Sequence, residues 1–251
     1  MKNTTQEIRG NFNFIVPTIV PSLIQGEDAE ALYNEVKETI KNGVWFWYDE
    51  NSRTMIGSST FLAARVDSIV RGLNKGIRVA TLADLNRPEV MNMIKDNYYS
   101  DTPALVLRSL EDSYKPSNSI ITDLVPHIVQ NTGRLRLPAL ITGFDVIPSK
   151  NKAGYGLDVV PRNDFSAIHD ERLLGKYYGE KFSTVDEQGL PNFDKNGSRT
   201  WFARNQGISR LGLGTSLNLV SGCDGDGDLA NSDVSGRVML VREAPAQKKI
   251  I

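Results

Sequence analysis

Apolar positions near the C-terminus follow a period of two. Leu211, Leu213, Leu217 and Leu219 recur at that spacing with one break, and Gly212, Gly214, Asn218 and Val220 stand between them. Side chains alternate across a strand, so the pattern predicts leucines against a core and small or polar residues facing outward. After Ser221 a run of Gly and Asp cannot bury apolar surface. Leu229 and Ala230 follow, then Gly236, Arg237 and a closing strand Val238–Val241. Trp201–Val241 therefore predicts a hairpin-like frame that carries a display surface.

The rest of the chain predicts a mixture of helices and strands. Asn11–Leu23, with two prolines, suits an extended arm or edge strand. Glu27–Lys41 is an amphipathic helix presenting Ala29, Leu32, Val36 and Ile40, with Gly43 beyond its end. Val44–Tyr48 predicts an aromatic strand packed in the core, in preference to a sugar-binding platform, and Asp49–Ser52 predicts a turn. Ser58 or Ser59 caps a second helix with Leu62, Val66, Ile69 and Leu73 inward, ending near Gly76. Gly76–Leu85 reads as a short strand entering a helix through a Thr81–Asp84 capping box. Further strands are predicted at Pro103–Leu110, Leu137–Ile147 and Leu157–Val160. A helix from Ile120 is expected to stop before Pro126. Gly143, Gly154 and Gly156 mark turns or bulges, and Asp186–Pro191 and Asp194–Gly197 mark turns.

The outward set of the C-terminal frame has a second regularity. Gly212, Gly214, Thr215, Ser216, Asn218, Val220, Gly222, Cys223, Asp224, Gly225, Asp226, Gly227, Asp228, Asn231, Asp233, Val234 and Ser235 are all residue types with a codon ending in C. From Gly207 to Ser235 there is no Glu, Lys, Gln, Met or Trp, the types that lack one. Scrambling the first two bases of AAC codons produces this set. Here the chain resembles the variable proteins of diversity-generating retroelements, in which adenine-directed mutagenesis rewrites a C-terminal cassette on a C-type-lectin-like fold. Gly76–Asp84 also resembles the G-x-R-L-P-T-x-x-E signature of the formylglycine-generating-enzyme and phage-adhesin branch of that fold. Ala80 replaces its proline and Asp84 its glutamate.

The resemblance implies an α+β protein, one C-type-lectin-like domain over residues 1–251. Residues 1–43 would form an N-terminal arm and helix, residues of about 100–195 a β-rich insertion, and residues 201–241 the variable display hairpin. It implies a non-catalytic binding protein of phage or bacterial type. The ligand-binding surface would comprise Gly212, Gly214, Ser216, Asn218, Val220, Gly222, Cys223, Asp224, Asp226, Asp228, Asn231, Asp233, Val234 and Ser235. The alternative for these positions is an ordinary loop, since Gly, Asp, Asn and Ser are the usual turn residues.

Composition narrows the chemistry. Hydrophobic residues at 40% and charged residues at 24% suit a globular core. A net charge of −1 provides no global field to recruit nucleic acid or an anionic membrane. Arg204, Arg210, Arg237 and Arg242 could form a basic stripe, but Asp224, Asp226, Asp228 and Asp233 dilute it. A structural role for Arg210 and Arg237 on loop carbonyls or carboxylates is expected instead. A single cysteine excludes an internal disulfide, and the two-cysteine chemistry of the formylglycine-generating branch is not expected. No signal-peptide pattern and no spanning apolar run occur, which predicts a cytoplasmic chain without membrane insertion, or one carried on a phage particle or displayed at a surface.

No cofactor is expected. The alternative is calcium at Asp224, Asp226 and Asp228, although Leu229 and Ser235 occupy positions where an EF-hand needs Gly and Glu. His127 and His169 lie in no metal-ligand motif, and Gly154-Tyr155-Gly156 lacks the third glycine of a nucleotide loop. The partner implied is a protein or surface ligand. The rival readings are an oligomeric structural protein of a phage particle and a metal-dependent protein.

Overall fold

Ser58, Ser59 and Thr60 are fully buried, and from them starts the helix on which both principal sheets pack. The Ser59 Oγ accepts the Leu62 N–H at 3.2 Å, satisfying one of the free donors at the start of helix α2 (Thr60–Gly72). Phe61, Leu62, Ala63, Ala64, Val66 and Val70 are buried, so α2 is covered on most of its circumference. Its one buried charge is Asp67. That carboxylate accepts the Val79 N–H at 2.9 Å and pairs with Arg71 at 2.7 Å and Arg162 at 3.0 Å. A buried carboxylate is tolerated only with such partners, and two of them, Val79 and Arg162, tie the helix to two different sheets.

A computed structural model describes residues 19–40, 44–73, 75–111, 120–150, 155–175, 179–222 and 229–243. In chain order the remaining elements are β1 (Ile19–Leu23), α1 (Glu27–Ile40), β2 (Trp47–Asp49), β3 (Thr54–Ile56), β4 (Ile77–Val79), α3 (Leu82–Leu85), α4 (Pro88–Ile94) and β5 (Ser100–Leu107). There follow α5 (Ile120–Thr132), β6 (Ala139–Pro148), β7 (Leu157–His169), β8 (Glu180–Val185), β9 (Pro191–Phe193), β10 (Arg199–Ala203), β11 (Ile208–Leu213), β12 (Leu219–Ser221) and β13 (Met239–Glu243). An eight-stranded sheet runs in the order β7-β6-β5-β11-β12-β10-β8-β9, a three-stranded sheet in the order β1-β13-β4, and β2 and β3 form a hairpin. The protein is a mixed α+β structure.

Successive residues of β5 serve opposite sides of the large sheet. Leu105 and Leu107 join the core under α1, α2 and α5, while Ala104 and Val106 join the core that holds Leu82, Leu85, Val90 and Ile94 of α3 and α4. A strand covered on both faces is buried at nearly every position, as β5 is. β5 pairs antiparallel with β11, so residues 100–195 contribute five strands to the same sheet as the C-terminal frame.

Several elements follow the sequence closely. α1 spans Glu27–Ile40 with Ala29, Val36 and Ile40 buried, and Gly43 lies outside the described residues. Pro21 sits in β1, an edge strand, where a missing N–H costs no ladder bond. The Thr81–Asp84 capping box forms, with Asp84 Oδ2 accepting the Thr81 N–H at 2.9 Å. Burial pushes the Asp84 carboxyl up, but hydrogen bonds from Arg78 and Thr81 outweigh it and hold the pKa below the ordinary value. Gly143, at φ +70°, marks a register shift in β6 opposite β7.

Other elements differ. α5 continues through Pro126 to Thr132, because Ile120, Ile121, Leu124 and Ile128 on both sides of the proline pack into one core. Tertiary burial there outweighs the lost backbone bond. Leu73 is 56% exposed, since α2 ends at Gly72. The aromatic segment forms a strand only from Trp47, and its side chains are not a closed core. Val44 is buried, Phe46 packs edge-on to Tyr33, and Trp45 is 45% exposed with its ring against Trp47. The closing strand β13 leaves the frame and pairs with β1 and β4, so the C-terminal segment is not one hairpin.

Leu211, Leu213 and Leu219 are fully buried, as their period of two requires. Leu211→Ala should cost about 2–5 kcal/mol, the range for a buried leucine in a packed core. Urea denaturation measures it, and a cost below about 1 kcal/mol would show that this leucine does not hold the strand.

Candidate functional site

Two exposed turns, one connecting β11 to β12 and one preceding β13, are each held in place by residues from elsewhere in the chain. In the first, Gly214 N–H donates to the Asn218 carbonyl and Leu217 N–H to the Gly214 carbonyl, both at 2.9 Å. Leu217 adopts φ +61°, so it belongs to the turn and not to a strand, and it is only partly buried. Its carbonyl accepts from Arg199 Nε at 2.6 Å, and the Arg199 guanidinium lies over the Phe182 ring at 4.6 Å. Burial lowers the Arg199 pKa to about 10. Asn218 is half-buried and fully engaged: Oδ1 accepts the Thr200 N–H at 2.7 Å and Nδ2 donates to Ser216 Oγ at 2.8 Å. Thr215 and Ser216 are left at the exposed tip.

The second turn, Asn231–Arg237, is docked on the start of α2 and on Tyr99. Gly57 N–H donates to the Gly236 carbonyl at 2.9 Å, and Ser58 N–H to Ser232 Oγ at 2.7 Å. Tyr99 N–H donates to the Ser235 carbonyl at 3.2 Å, Arg237 N–H to the Tyr99 carbonyl at 3.0 Å, and Asp233 N–H to Tyr99 Oη at 3.0 Å. The approach is close enough that a Cβ at Gly236 would lie 2.6 Å from Ser58 N. Arginines hold the turn's carbonyls: Arg210 Nη1 donates to Asn231 O at 3.0 Å, and Arg237 Nη1 to Val234 O at 2.8 Å and Gly236 O at 2.7 Å. This is the structural role expected for both. Asp233 Oδ1 accepts the Ser235 N–H at 2.7 Å, closing the turn on itself.

Segment Asp96–Asp101 touches both turns. Asp96 N–H donates to the Thr215 carbonyl at 3.0 Å, and Tyr99 meets the second turn. Beneath it lies Asp101, a buried carboxylate whose Oδ2 has no hydrogen-bond partner among the described residues. Arg210 approaches that oxygen only to 3.7 Å, and Ser58 also hydrogen-bonds to the side chain. Burial dominates and pushes the Asp101 pKa from 3.8 up to about 6. Burial, reinforced by the charges of Asp101 and Asp233, likewise pushes Tyr99 up to about 12. The Arg237 guanidinium lies over the Tyr98 ring at 4.7 Å, and burial lowers its pKa.

The residues expected at the surface fall into four groups. Ser216, Asn231 and Asp233 are exposed, and Val234 is 66% exposed with no core contact to explain it. Gly214, Asn218, Val220 and Ser235 are half-buried. Gly212 and Gly222 are corrections, because both are buried. Gly212 lies on β5, where a Cβ would come within 2.6 Å of the Ser100 carbonyl, and Gly222 packs on the Arg204 side chain. The two-residue period hides this: at the register shift between Arg210 and Gly212 the backbone of the paired strand β5 occupies the space a Gly212 side chain would need. Cys223, Asp224, Asp226 and Asp228 lie outside the described residues, and with them the calcium alternative.

Among the described residues no group of three or more His, Cys, Asp or Glu is placed to hold a metal ion, and no helix is long and apolar enough to cross a membrane. His127 and His169 are not brought together; the first faces the Phe165 ring and the second hydrogen-bonds to the Pro138 carbonyl. Arg204, Arg210, Arg237 and Arg242 form no stripe, since Arg242 belongs to β13 in the other sheet and Arg210 and Arg237 are used on carbonyls. Sequence reasoning missed Tyr98, Tyr99, Arg199 and Asp101. The Tyr98-Tyr99 pair shortly before the strand expected from Pro103 is the available signal. The arrangement offers a polar, turn-based contact surface with tyrosine and arginine at its base. Among protein-family models, characterised proteins and solved structures, nothing matches the chain.

Asp101 should make stability depend on pH. Its folded pKa lies above the unfolded value, so its contribution is fully present below about pH 4 and is lost as pH rises to about 6. Asp101→Asn cannot titrate, so the wild type should lose stability relative to this variant across that window in urea denaturation run at several pH values. A difference independent of pH would show that the carboxyl titrates normally.

Proposed function

We propose that this is a non-catalytic recognition protein whose C-terminal turns present exchangeable side chains to a protein or surface ligand, in the manner of retroelement variable proteins on a C-type-lectin-like fold. One observation carries the reading. The backbone of both turns is gripped largely by residues outside the compositionally restricted stretch 207–235, namely Asp96, Tyr99, Arg199 and Arg237. Residues that adenine-directed exchange would leave untouched thus hold the backbone of the residues it would replace. The buried leucines supply the floor, and surface positions with no structural bond can change at a cost within about ±0.5 kcal/mol.

This reading refines which positions are free. Asn231 and Val234 have exposed side chains on gripped backbone, whereas Asn218 and Asp233 bond the turns themselves and Ser216 Oγ accepts from Asn218. Tyr98, Tyr99 and Arg237 beneath them provide the aromatic and guanidinium character typical of binding hot spots, which the exchangeable set lacks. The surface then combines constant anchors with a changeable rim.

The encoding DNA provides the test of origin. AAC-derived codons across 207–235, a nearby near-copy with adenine at each differing base and an adjacent reverse transcriptase gene are expected. Absence of both the copy and the gene would end the retroelement reading. At the protein level, replacing Asn231 and Val234 together by tyrosine should shift stability by less than about 1 kcal/mol in urea denaturation. Asn218→Ala alone should cost about 1 kcal/mol or more, because it strands the Thr200 N–H.

A further inference from the structure

A cavity of about 300 Å³ lies where α5 ends and β7 meets β6, lined by Ile128, Thr132, Arg134, Arg136, Ala167 and His169. The segment from α5 to β6 alternates: Leu135 and Leu137 pack into the core while Arg134 and Arg136 point out and line the cavity. Neither guanidinium has a hydrogen bond or ion-pair partner among the described residues, in a protein where Arg65, Arg71, Arg78, Arg162 and Arg172 are all paired with carboxylates. Arg134 and Arg136 are exposed and leave their donors to water, and an anion in the cavity would take up both sets of donors.

The remaining lining residues define what that anion carries. His169 Nδ1 donates to the Pro138 carbonyl at 2.9 Å, which fixes the ring with Nε2 on the other side. Glu171, 73% exposed on its side chain, reaches Nε2 at 3.3 Å. The Thr132 hydroxyl is committed to the Ile128 carbonyl at 2.9 Å and to the Arg134 carbonyl. Ile128 and Ala167 offer no polar group, so they supply an apolar wall. Two guanidinium forks match the charge and the several acceptor oxygens of a dianion better than a single carboxylate.

We propose that this cavity binds a small organic phosphate monoester, its phosphate held between Arg134 and Arg136 and its apolar body against Ile128 and Ala167. The site is independent of the C-terminal turns: it sits at the β7 edge of the sheet, with β6 and β5 between it and β11.

Phenyl phosphate, titrated by calorimetry into the full chain at low salt, provides the test. Saturable binding is expected, weakened roughly tenfold or more in the R134A/R136A double variant, the loss expected for charge-assisted hydrogen bonds. Both arginines are exposed, so the variant should fold, and an unchanged melting temperature verifies this. If the pair unfolds, Arg136→Ala alone carries the same comparison. No saturable binding to the wild type up to about 10 mM, or equal affinity in wild type and variant, overturns the proposal.

Discussion

Presentation of the C-terminal turns depends on one stretch of backbone, Asp96–Asp101, wedged between them. Through Asp96 it holds the β11–β12 turn, through Tyr99 it holds the turn before β13, and through Ser100 and Asp101 it becomes the first residues of β5. Because β5 is buried on both faces, the wedge cannot shift without disturbing both cores. Loops are ordinarily the most variable and mobile parts of a domain. Here two of them borrow the rigidity of a central strand.

The electrostatics of this wedge explain its oddities. Asp101 is buried with an oxygen left over, an arrangement that costs free energy unless a group approaches or a proton is taken up. Arg210, the nearest cation, divides its attention between that oxygen and the Asn231 carbonyl. A single guanidinium therefore links a buried charge to the backbone of an exposed turn. Tyr99 does the same with its hydroxyl, accepting from Asp233 and donating to the Ser58 carbonyl at 3.3 Å. Such shared partners make the second turn a cooperative unit with the start of α2, and not an appendage.

Much of the framework was legible in the residues. α1, the Ser59 cap, the Thr81–Asp84 box and the buried leucines of β11 and β12 all rest on local periodicity or capping, which nearby residues decide. What was not legible depended on distant pairing. Gly212 reads as an outward residue until the irregular pairing of β11 with β5 is known, and β13 reads as part of the frame until it pairs with β1. The helix at Pro126 continues because a core on both sides demands it, which no rule about proline supplies. The exposure of Ser216, Asn231 and Val234 was legible in the composition of their segment. The residues that grip them were not, since Tyr99 and Arg199 lie 134 and 18 positions away from the turn residues Asp233 and Leu217 that they hold, and only the folded chain brings them there.

The pairing of β1 with β13 has a mechanical side. Ile19 lies opposite Glu243, so the described chain enters and departs at neighbouring points on one small sheet. Tension applied between those two points would open the ladder one rung at a time instead of loading every bond together, which is the weak direction for a pair of antiparallel strands. A body that carries this domain at both ends would therefore strain the β1–β13 seam first, while the turns anchored on β5 stay in register.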